Sequence, residues 1–295
     1  LTGLTVPESY GGLGMNELDF VLLAQEAGFV ALPEPLVHIA LVSVPTLVKY
    51  ASDALKAEWL PKIASGEAKV VVGLEQNLVV EDAHVADLLV LEKDGTVYAV
   101  TADQVELSFN ESVDRSRRLY QVTFDEQAAE LIAEGQQAND LVNDALNRGA
   151  LGSAAQALGL SQRMVEMSVQ YTGERKQFGV AIGTFQAVKH HMANIAVKVE
   201  YAKAPLARAA YAIAKDLPVQ NEAVSHAKFT ACEAGQLAAK NCVQVHGAMG
   251  YTWEVDLHIF MKKAWALANS WGDAAFHKAR IADVIFADKA SIGAG

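Results

Sequence analysis

The sequence predicts a mostly helical α+β protein, with an N-terminal helical domain, a small β domain and a C-terminal four-helix bundle. Three observations support this fold class: helical spacing near the start, a change to strand-like periodicity in the second zone, and a long alanine-rich helical remainder. We therefore predict domains at residues 1–66, 67–125 and 126–295.

The first zone opens with a glycine-rich loop, Tyr10-Gly11-Gly12-Leu13-Gly14, and continues with helical spacing. One apolar stripe is predicted from Leu18, Leu22, Gln25 and Phe29, broadened by Val21 and Leu23. Pro33 and Pro35 should end this helix, because proline cannot donate the backbone hydrogen bond that a helix interior requires.

The second zone has the pattern of a small β domain. Val70–Val72 is a β-branched run, and the apolar segments 86–91 and 96–101 flank Lys93-Asp94-Gly95. Asp-Gly between two such segments predicts a hairpin, since the turn needs positive φ at both central residues. With an alternating segment at Tyr120–Phe124, we expect about four or five strands.

The third zone is helical throughout. One face is predicted from Leu151, Ala155, Leu158, Val165 and Val169, and another from Val188, Met192, Ile195 and Val199. Further helices are predicted over 221–245 and 255–287, and Pro205 should kink or end its helix.

Composition excludes several classes of protein. In 295 residues, 52% are hydrophobic and 20% charged, which excludes a disordered chain, and the net charge of −11 offers no field for nucleic acid. No apolar run approaches the ~20 residues of a membrane span. Cys232 and Cys242 match no metal or redox spacing, so we expect no metal site and a cytoplasmic protein. Because the chain begins with Leu1, we expect its natural start to be missing.

Two polar segments could carry chemistry. In Tyr171–Gly179, with bends expected at Gly173 and Gly179, three side chains could hold a nucleotide pyrophosphate: Arg175, Gln177 and Phe178. In Gln244–Thr252, two glycines, Gly247 and Gly250, would allow a ligand close to the backbone, beside the polar side chains Gln244 and His246. From local chemistry alone, we favour a helix–helix connection with a solvated charge cluster for the first segment, and an ordinary helix C-cap explains one of the two glycines in the second.

Together with the early loop, these segments resemble the acyl-CoA dehydrogenase family. The matching stretches are Val6-Pro7-Glu8-Ser9-Tyr10-Gly11-Gly12-Leu13-Gly14, Glu174-Arg175-Lys176-Gln177-Phe178-Gly179 with Ile182-Gly183-Thr184-Phe185-Gln186, and Gln244-Val245-His246-Gly247-Ala248-Met249-Gly250-Tyr251-Thr252. Their order and separation also fit, and the resemblance spans almost the whole chain.

The resemblance implies a flavin enzyme that acts on an acyl-CoA thioester. In the family a carboxylate removes the α proton while the β hydride passes to FAD, and an electron acceptor flavoprotein follows. It also implies that six residues contact the FAD of a neighbouring subunit: Arg175, Gln177, Phe178, Gln244, Gly247 and Gly250.

Two departures from the family pattern matter. Trp271 stands where the family has its catalytic glutamate, and Gly149 stands at the alternative base position. Asp273 and Asp144 are the nearest acids, of which Asp273 is the better candidate for a base. The segment Leu74–Val80 also lacks the family's Thr-Glu-Pro to Gly-Ser-Asp cradle for the flavin ring.

Three functions remain open at this point. The chain could be one subunit of a heteromeric acyl-CoA dehydrogenase, a heterotetramer of the kind known in actinobacterial steroid and cholesterol side-chain degradation, whose partner carries the base. It could instead be a self-sufficient homo-oligomer using Asp273, or a non-catalytic scaffold or binding relative. We favour the first, since a partner can supply both missing functions.

Overall fold

The computed structural model describes residues 1–287, which form two compact units. The first contains Leu1–Phe20 and Pro33–Gly152, and the second contains Val21–Leu32 and the chain from Ser153 on. Two helices, α1 (Glu17–Phe29) and α5 (Gly135–Glu174), contribute to both. The sequence-based domain limits stay a prediction.

Helices of the first unit precede its sheets. They are α2 (Leu36–His38), a π-helical turn (Ile39–Ser43), α3 (Val44–Tyr50) and α4 (Asp53–Ser65). The start of α4 is capped by Ser52, whose hydroxyl accepts a hydrogen bond from Leu55 N at 3.2 Å. Gly66, with φ +83°, ends it in the left-handed conformation that glycine adopts readily.

The predicted stripe of α1 is wrong in part. Leu22 is 65% exposed and Leu23 is 36% exposed, whereas Phe20 and Ala24 are completely buried. The apolar residues of α1 are spread around much of its circumference, so their spacing alone could not identify the buried face.

Seven strands, more than the predicted four or five, form two sheets in the first unit. Sheet A has the order β1-β3-β4-β7, and sheet B has the order β2-β6-β5. The predicted hairpin is confirmed, because Asp94 and Gly95 have φ of +50° and +72° between β3 and β4. The strands are β1 (Val70–Gly73), β2 (Val80–Glu81), β3 (Leu88–Lys93), β4 (Thr96–Thr101), β5 (Val105–Asn110), β6 (Leu119–Phe124) and β7 (Glu130–Ala133).

The second unit is a helical bundle, as predicted. After α5 a two-stranded hairpin, β8 (Lys176–Gln177) and β9 (Val180–Ala181), leads into α6 (Gln186–Ala214), α7 (Gln220–His246), α8 (Leu257–Asn269) and α9 (Ala274–Ala287). α6 continues through Pro205, so that helix does not end there, and α5 continues through Gly173 to Glu174. The predicted helix over 255–287 is interrupted between Asn269 and Ala274.

No helix within residues 1–287 is long and apolar enough to cross a membrane. In the same residues, no group of three or more His, Cys, Asp or Glu side chains could hold a metal ion.

Candidate active site

The segment after α5 is an exposed hairpin. Phe178 and Gly179 occupy its turn with φ of +52° and +81°, the pair of positive values that a two-residue hairpin turn requires. Phe178 is 93% exposed, and Arg175 and Gln177 are exposed as well. Across residues 1–287 the Arg175 guanidinium forms no ion pair, so its charge is available to an external anion.

The second predicted segment forms the C-terminal end of α7. Gln244 is exposed on the last turn, and Gly247 ends the helix with φ +59° and ψ −136°. Gly250 is buried, and a Cβ at this position would lie 3.0 Å from the carbonyl oxygen of Val243. Gly247 is thus fixed by backbone conformation and Gly250 by space, and both keep this end of the helix free of side chains.

A stacked pair of rings joins these two segments within the second unit. Tyr171, four residues before Arg175, stacks on His246 with ring centroids 4.3 Å apart and planes inclined by 19°. The Tyr171 hydroxyl also donates to the backbone oxygen of His246 at 3.3 Å. The stack therefore places Arg175 and Gln244 at the same end of the bundle.

His246 itself is a packing residue. Its side chain is buried, and Nδ1 lies 2.8 Å from the Cys242 carbonyl oxygen, which can only accept. Nδ1 therefore carries the proton, and burial lowers the pKa of the ring. In the sequence His246 looked like a polar ligand, but in the structure it packs beneath the loop that follows α7 and supports it.

The loop between α8 and α9 contains Trp271, which the sequence comparison with the family predicts to stand at the position of the base. Trp271 is buried and has φ +56°, and Gly272 follows with φ +89°. A Cβ on Gly272 would lie 2.5 Å from the Phe276 ring and 2.8 Å from His277 Nε2, so this position requires glycine. An indole cannot accept a proton, so residue 271 cannot act as a base in this chain.

Buried polar groups, which sequence reasoning missed, hold this loop in place. His277 Nε2 donates to the Trp271 carbonyl oxygen at 2.9 Å, and Nδ1 accepts from the Ser225 hydroxyl at 3.0 Å. Lys228 Nζ donates to the Leu267 carbonyl oxygen at 2.6 Å. Its positive charge stabilises the C-terminal end of α8, where the helix dipole is negative. None of these residues belongs to a recognisable motif, so nothing in the sequence marked them.

Asp273 caps a helix. Its Oδ1 accepts a hydrogen bond from Phe276 N at 2.8 Å at the start of α9, and its side chain is exposed. It lies at the edge of a cavity of about 300 Å³ that also contacts Lys228, Glu233 and Asn269. Asp144, the acid nearest in sequence to the alternative base position, accepts from the Tyr50 hydroxyl at 2.6 Å and from Lys49 at 2.5 Å. The capping hydrogen bond is a structural role that by itself accounts for an aspartate at position 273. The role of Asp273 as a base stays a prediction.

The capping role leads to a testable expectation. In the active assembly Asp273→Asn should keep most of the turnover and the stability, because asparagine caps a helix as well as aspartate does. Asp273→Ala should lower the free energy of unfolding by about 0.5–2 kcal/mol. Turnover, flavin content and thermal unfolding of both variants test this. A fall in kcat of roughly a thousandfold in Asp273→Asn with full flavin content would identify Asp273 as a general base instead.

The segment Leu74–Val80 lies beside a pocket of about 420 Å³ in the first unit. Its rim carries Glu75 and Glu92, whose Oε2 accepts from the backbone N of Glu75 at 3.1 Å. Burial, and also the neighbouring Glu75 carboxylate, raise the pKa of Glu92. Lys93 also lines the pocket, but its Nζ pairs with Glu126, so the two carboxylates are not balanced by an available cation and the pocket does not suit the anionic pyrophosphate of FAD. The exposed end of the bundle with Arg175 does fit it.

Comparisons with known proteins bear on the family of the chain. The family model described as acyl-CoA dehydrogenase, N-terminal domain, matches residues 1–67, and that of the C-terminal domain matches residues 139–286. The chain is 30% identical over 268 residues to the acyl-CoA dehydrogenase IpdE2 of Mycobacterium tuberculosis, covering 90% of this chain and 77% of the relative.

Solved structures show the same fold. Glutaryl-coenzyme A dehydrogenase in its glutaryl-CoA complex aligns with a TM-score of 0.83 and 25% identity, covering 96% of this chain and 84% of that one. The ChsE4-ChsE5 complex from Mycobacterium tuberculosis contains a chain that aligns with a TM-score of 0.85 and 23% identity, covering 97% and 85%. The chain therefore belongs to the acyl-CoA dehydrogenase family, the flavin-dependent oxidoreductases that act on acyl-CoA thioesters.

Proposed function

We propose that this chain is the subunit of a heteromeric acyl-CoA dehydrogenase that contributes FAD contacts to a partner chain carrying the catalytic base. The observation that supports it most is the contrast between the proposed cofactor-binding side chain at position 175 and the side chain at position 271. The Arg175 guanidinium is exposed and forms no ion pair within residues 1–287, whereas position 271 holds a buried tryptophan.

Each exposed residue has a role in this proposal. Arg175 binds a phosphate of the partner's FAD through charge-assisted hydrogen bonds, and Gln177 and Gln244 add neutral hydrogen bonds. Phe178 covers an apolar part of the cofactor, and the bare backbone at Gly247 lets it approach closely. When bound, FAD supplies the acceptor for the hydride that leaves the β carbon of the acyl group.

The partner supplies what this chain lacks. Its carboxylate removes the α proton, so the product is a 2-enoyl-CoA, and an electron acceptor flavoprotein completes the turnover. Two solved structures with this fold, the ChsE4-ChsE5 complex and the Tcur3481-Tcur3483 steroid ACAD, are each named for two chains. On this basis we propose a heterotetramer and a steroid-derived acyl-CoA as the substrate class.

The proposed function is tested by co-expression with an acyl-CoA dehydrogenase-like partner, followed by flavin counting and determination of the subunit ratio. We expect an equimolar complex that holds FAD and turns over an acyl-CoA. A complex that forms but has neither flavin nor turnover would support a scaffold role instead.

The chain expressed alone should bind FAD weakly or not at all, because the rim at Glu75 and Glu92 is acidic and the family cradle is absent from Leu74–Val80. The measurement is the visible absorbance of the purified chain after gel filtration, with the co-expressed complex as the positive control. Stoichiometric yellow flavin on the isolated chain would contradict the shared site and favour the homo-oligomer.

A further inference from the structure

We propose that β5 is an interface between two copies of this chain, in which the strand pairs antiparallel with its own copy about a twofold axis centred on Leu107. This contact requires neither a flavin nor a second kind of chain, so it is independent of the proposed function.

The starting point is the exposed edge of sheet B. β5 is hydrogen-bonded to β6 on one side and lies at the end of the sheet. Its register with β6 is regular over all six residues, from Val105 opposite Phe124 to Asn110 opposite Leu119. The face of β5 that carries Val105, Leu107 and Phe109 packs on the core at Val105, but Leu107 is 37% exposed and Phe109 is 53% exposed, so the edge and the outer part of this face meet solvent.

The other sheet edges of the first unit are protected. β2 has only two residues, all four residues of β1 are buried, and the pairing of β7 shifts register between Val97 and Tyr98. Proteins commonly block free edges with proline, lysine, bulges or short strands. β5 has none of these features, and its single charge is Glu106. Among the edge strands described in the first unit, β5 is the one whose outer edge remains available for pairing with another strand.

A second copy is the occupant that this strand fits by symmetry. A twofold axis perpendicular to the sheet keeps the same face of the sheet upward in both copies. Directly opposed residues must therefore have side chains on the same face, so their residue numbers are both odd or both even. With the axis at Leu107, Val105 opposes Phe109 of the second copy and Leu107 opposes itself. The three apolar residues of β5, Val105, Leu107 and Phe109, then all form cross-strand apolar pairs.

Charge and packing select this register over its neighbours. Centred on Leu107, Glu106 opposes Ser108, and no two charges face each other within the paired segment. An axis at Glu106 would oppose two carboxylates, which is destabilising. An axis at Ser108 would put Val105 opposite Glu111, which removes an apolar pair.

A cysteine at the axis tests the pairing directly. In this register the two copies of residue 107 face each other about 5 Å apart, within the reach of a disulfide, whereas the copies of residue 106 or 108 are about 8 Å apart and beyond it. The native Cys232 and Cys242 are buried. We expect Leu107→Cys in the full chain to form a covalent dimer under mild oxidation, and Glu106→Cys and Ser108→Cys to remain uncrosslinked.

A second measurement does not rely on oxidation. Leu107→Lys should shift the sedimentation of the full chain toward the smaller species by at least tenfold in dissociation constant, with an unchanged melting temperature, because its side chain is already partly exposed. Equal cross-linking at 106, 107 and 108, or wild-type sedimentation of Leu107→Lys, would overturn the proposal. Pairing only when another kind of chain is added would overturn it as well.

Discussion

Replacing Arg175 by alanine in the assembled complex should weaken FAD retention by about one to two orders of magnitude. The Arg175 guanidinium is exposed and forms no ion pair within residues 1–287, so its removal leaves no internal partner unpaired. A charge-assisted hydrogen bond to phosphate contributes about 1.5–3 kcal/mol, and each 1.4 kcal/mol is tenfold. Gln244→Ala should cost less, up to about tenfold, since a neutral hydrogen bond contributes about 0.5–1.5 kcal/mol.

The experiment measures FAD content and thermal stability with and without added FAD, with the partner unmutated. Arg208→Ala is the matched control, because Arg208 is an exposed arginine on the same unit whose guanidinium pairs with Glu222 at 2.9 Å. Its loss should leave FAD retention unchanged, since such surface pairs contribute about 0–1 kcal/mol. Unchanged FAD affinity in both Arg175→Ala and Gln244→Ala, in a complex that still assembles, would reject the shared-site model.

Acid should destabilise the chain through His277. Burial lowers its pKa from 6.5 to about 4. The hydrogen bond with the Trp271 carbonyl opposes this shift in part, and weaker effects come from Lys228 and Arg280, which lower the pKa, and from Asp273, which raises it. Between these two values the unfolded chain binds a proton that the folded chain does not, so stability is full above pH 6.5 and falls as the pH drops toward 4. A shift of this size corresponds to about 3 kcal/mol. Burial shifts the pKa of His38 in the same direction, also to about 4.

Thermal unfolding between pH 7.5 and 4 measures this effect. His277→Gln should flatten the dependence on pH even where it lowers the stability at pH 7.5, because glutamine does not titrate. His190→Gln, at an exposed position on α6, is the control and should retain the wild-type slope. An equal slope in wild type and His277→Gln would show that other groups cause the loss.

The sequence predicted those parts of the fold that local chemistry specifies. The turn at Asp94-Gly95 was predicted because two adjacent positive φ values have a compositional signature. The helix over 221–245 was confirmed within one residue at each end by its periodicity. β5 was not predicted, although the alternation of apolar and polar residues in Val105–Asn110 has the period of a half-buried strand.

The candidate site shows a different limit. The family signatures identified Arg175 and Gln244 separately, and the structure adds the stack of Tyr171 on His246 that brings their segments together. These two rings are 75 residues apart, and nothing local in either segment specifies the contact. For the same reason His277 was not recognised, since its partners Ser225 and Trp271 are defined only by tertiary packing.

The loop at Trp271 and the segment after β1 differ in how easily their lost functions could return. At position 271 the backbone turn is intact, so one substitution to glutamate would restore a carboxylate at a cost of left-handed strain that the tryptophan already bears. The segment from Gly73 to Val80 is closed by packing, because a Cβ on Gly73 would lie 2.5 Å from the Val80 side chain. A flavin cradle there would require an insertion and a repacked sheet. Under the proposed function, one substitution could restore the base, whereas several changes would be needed to restore the cradle, so the cradle makes the proposed dependence on another subunit the harder feature to reverse.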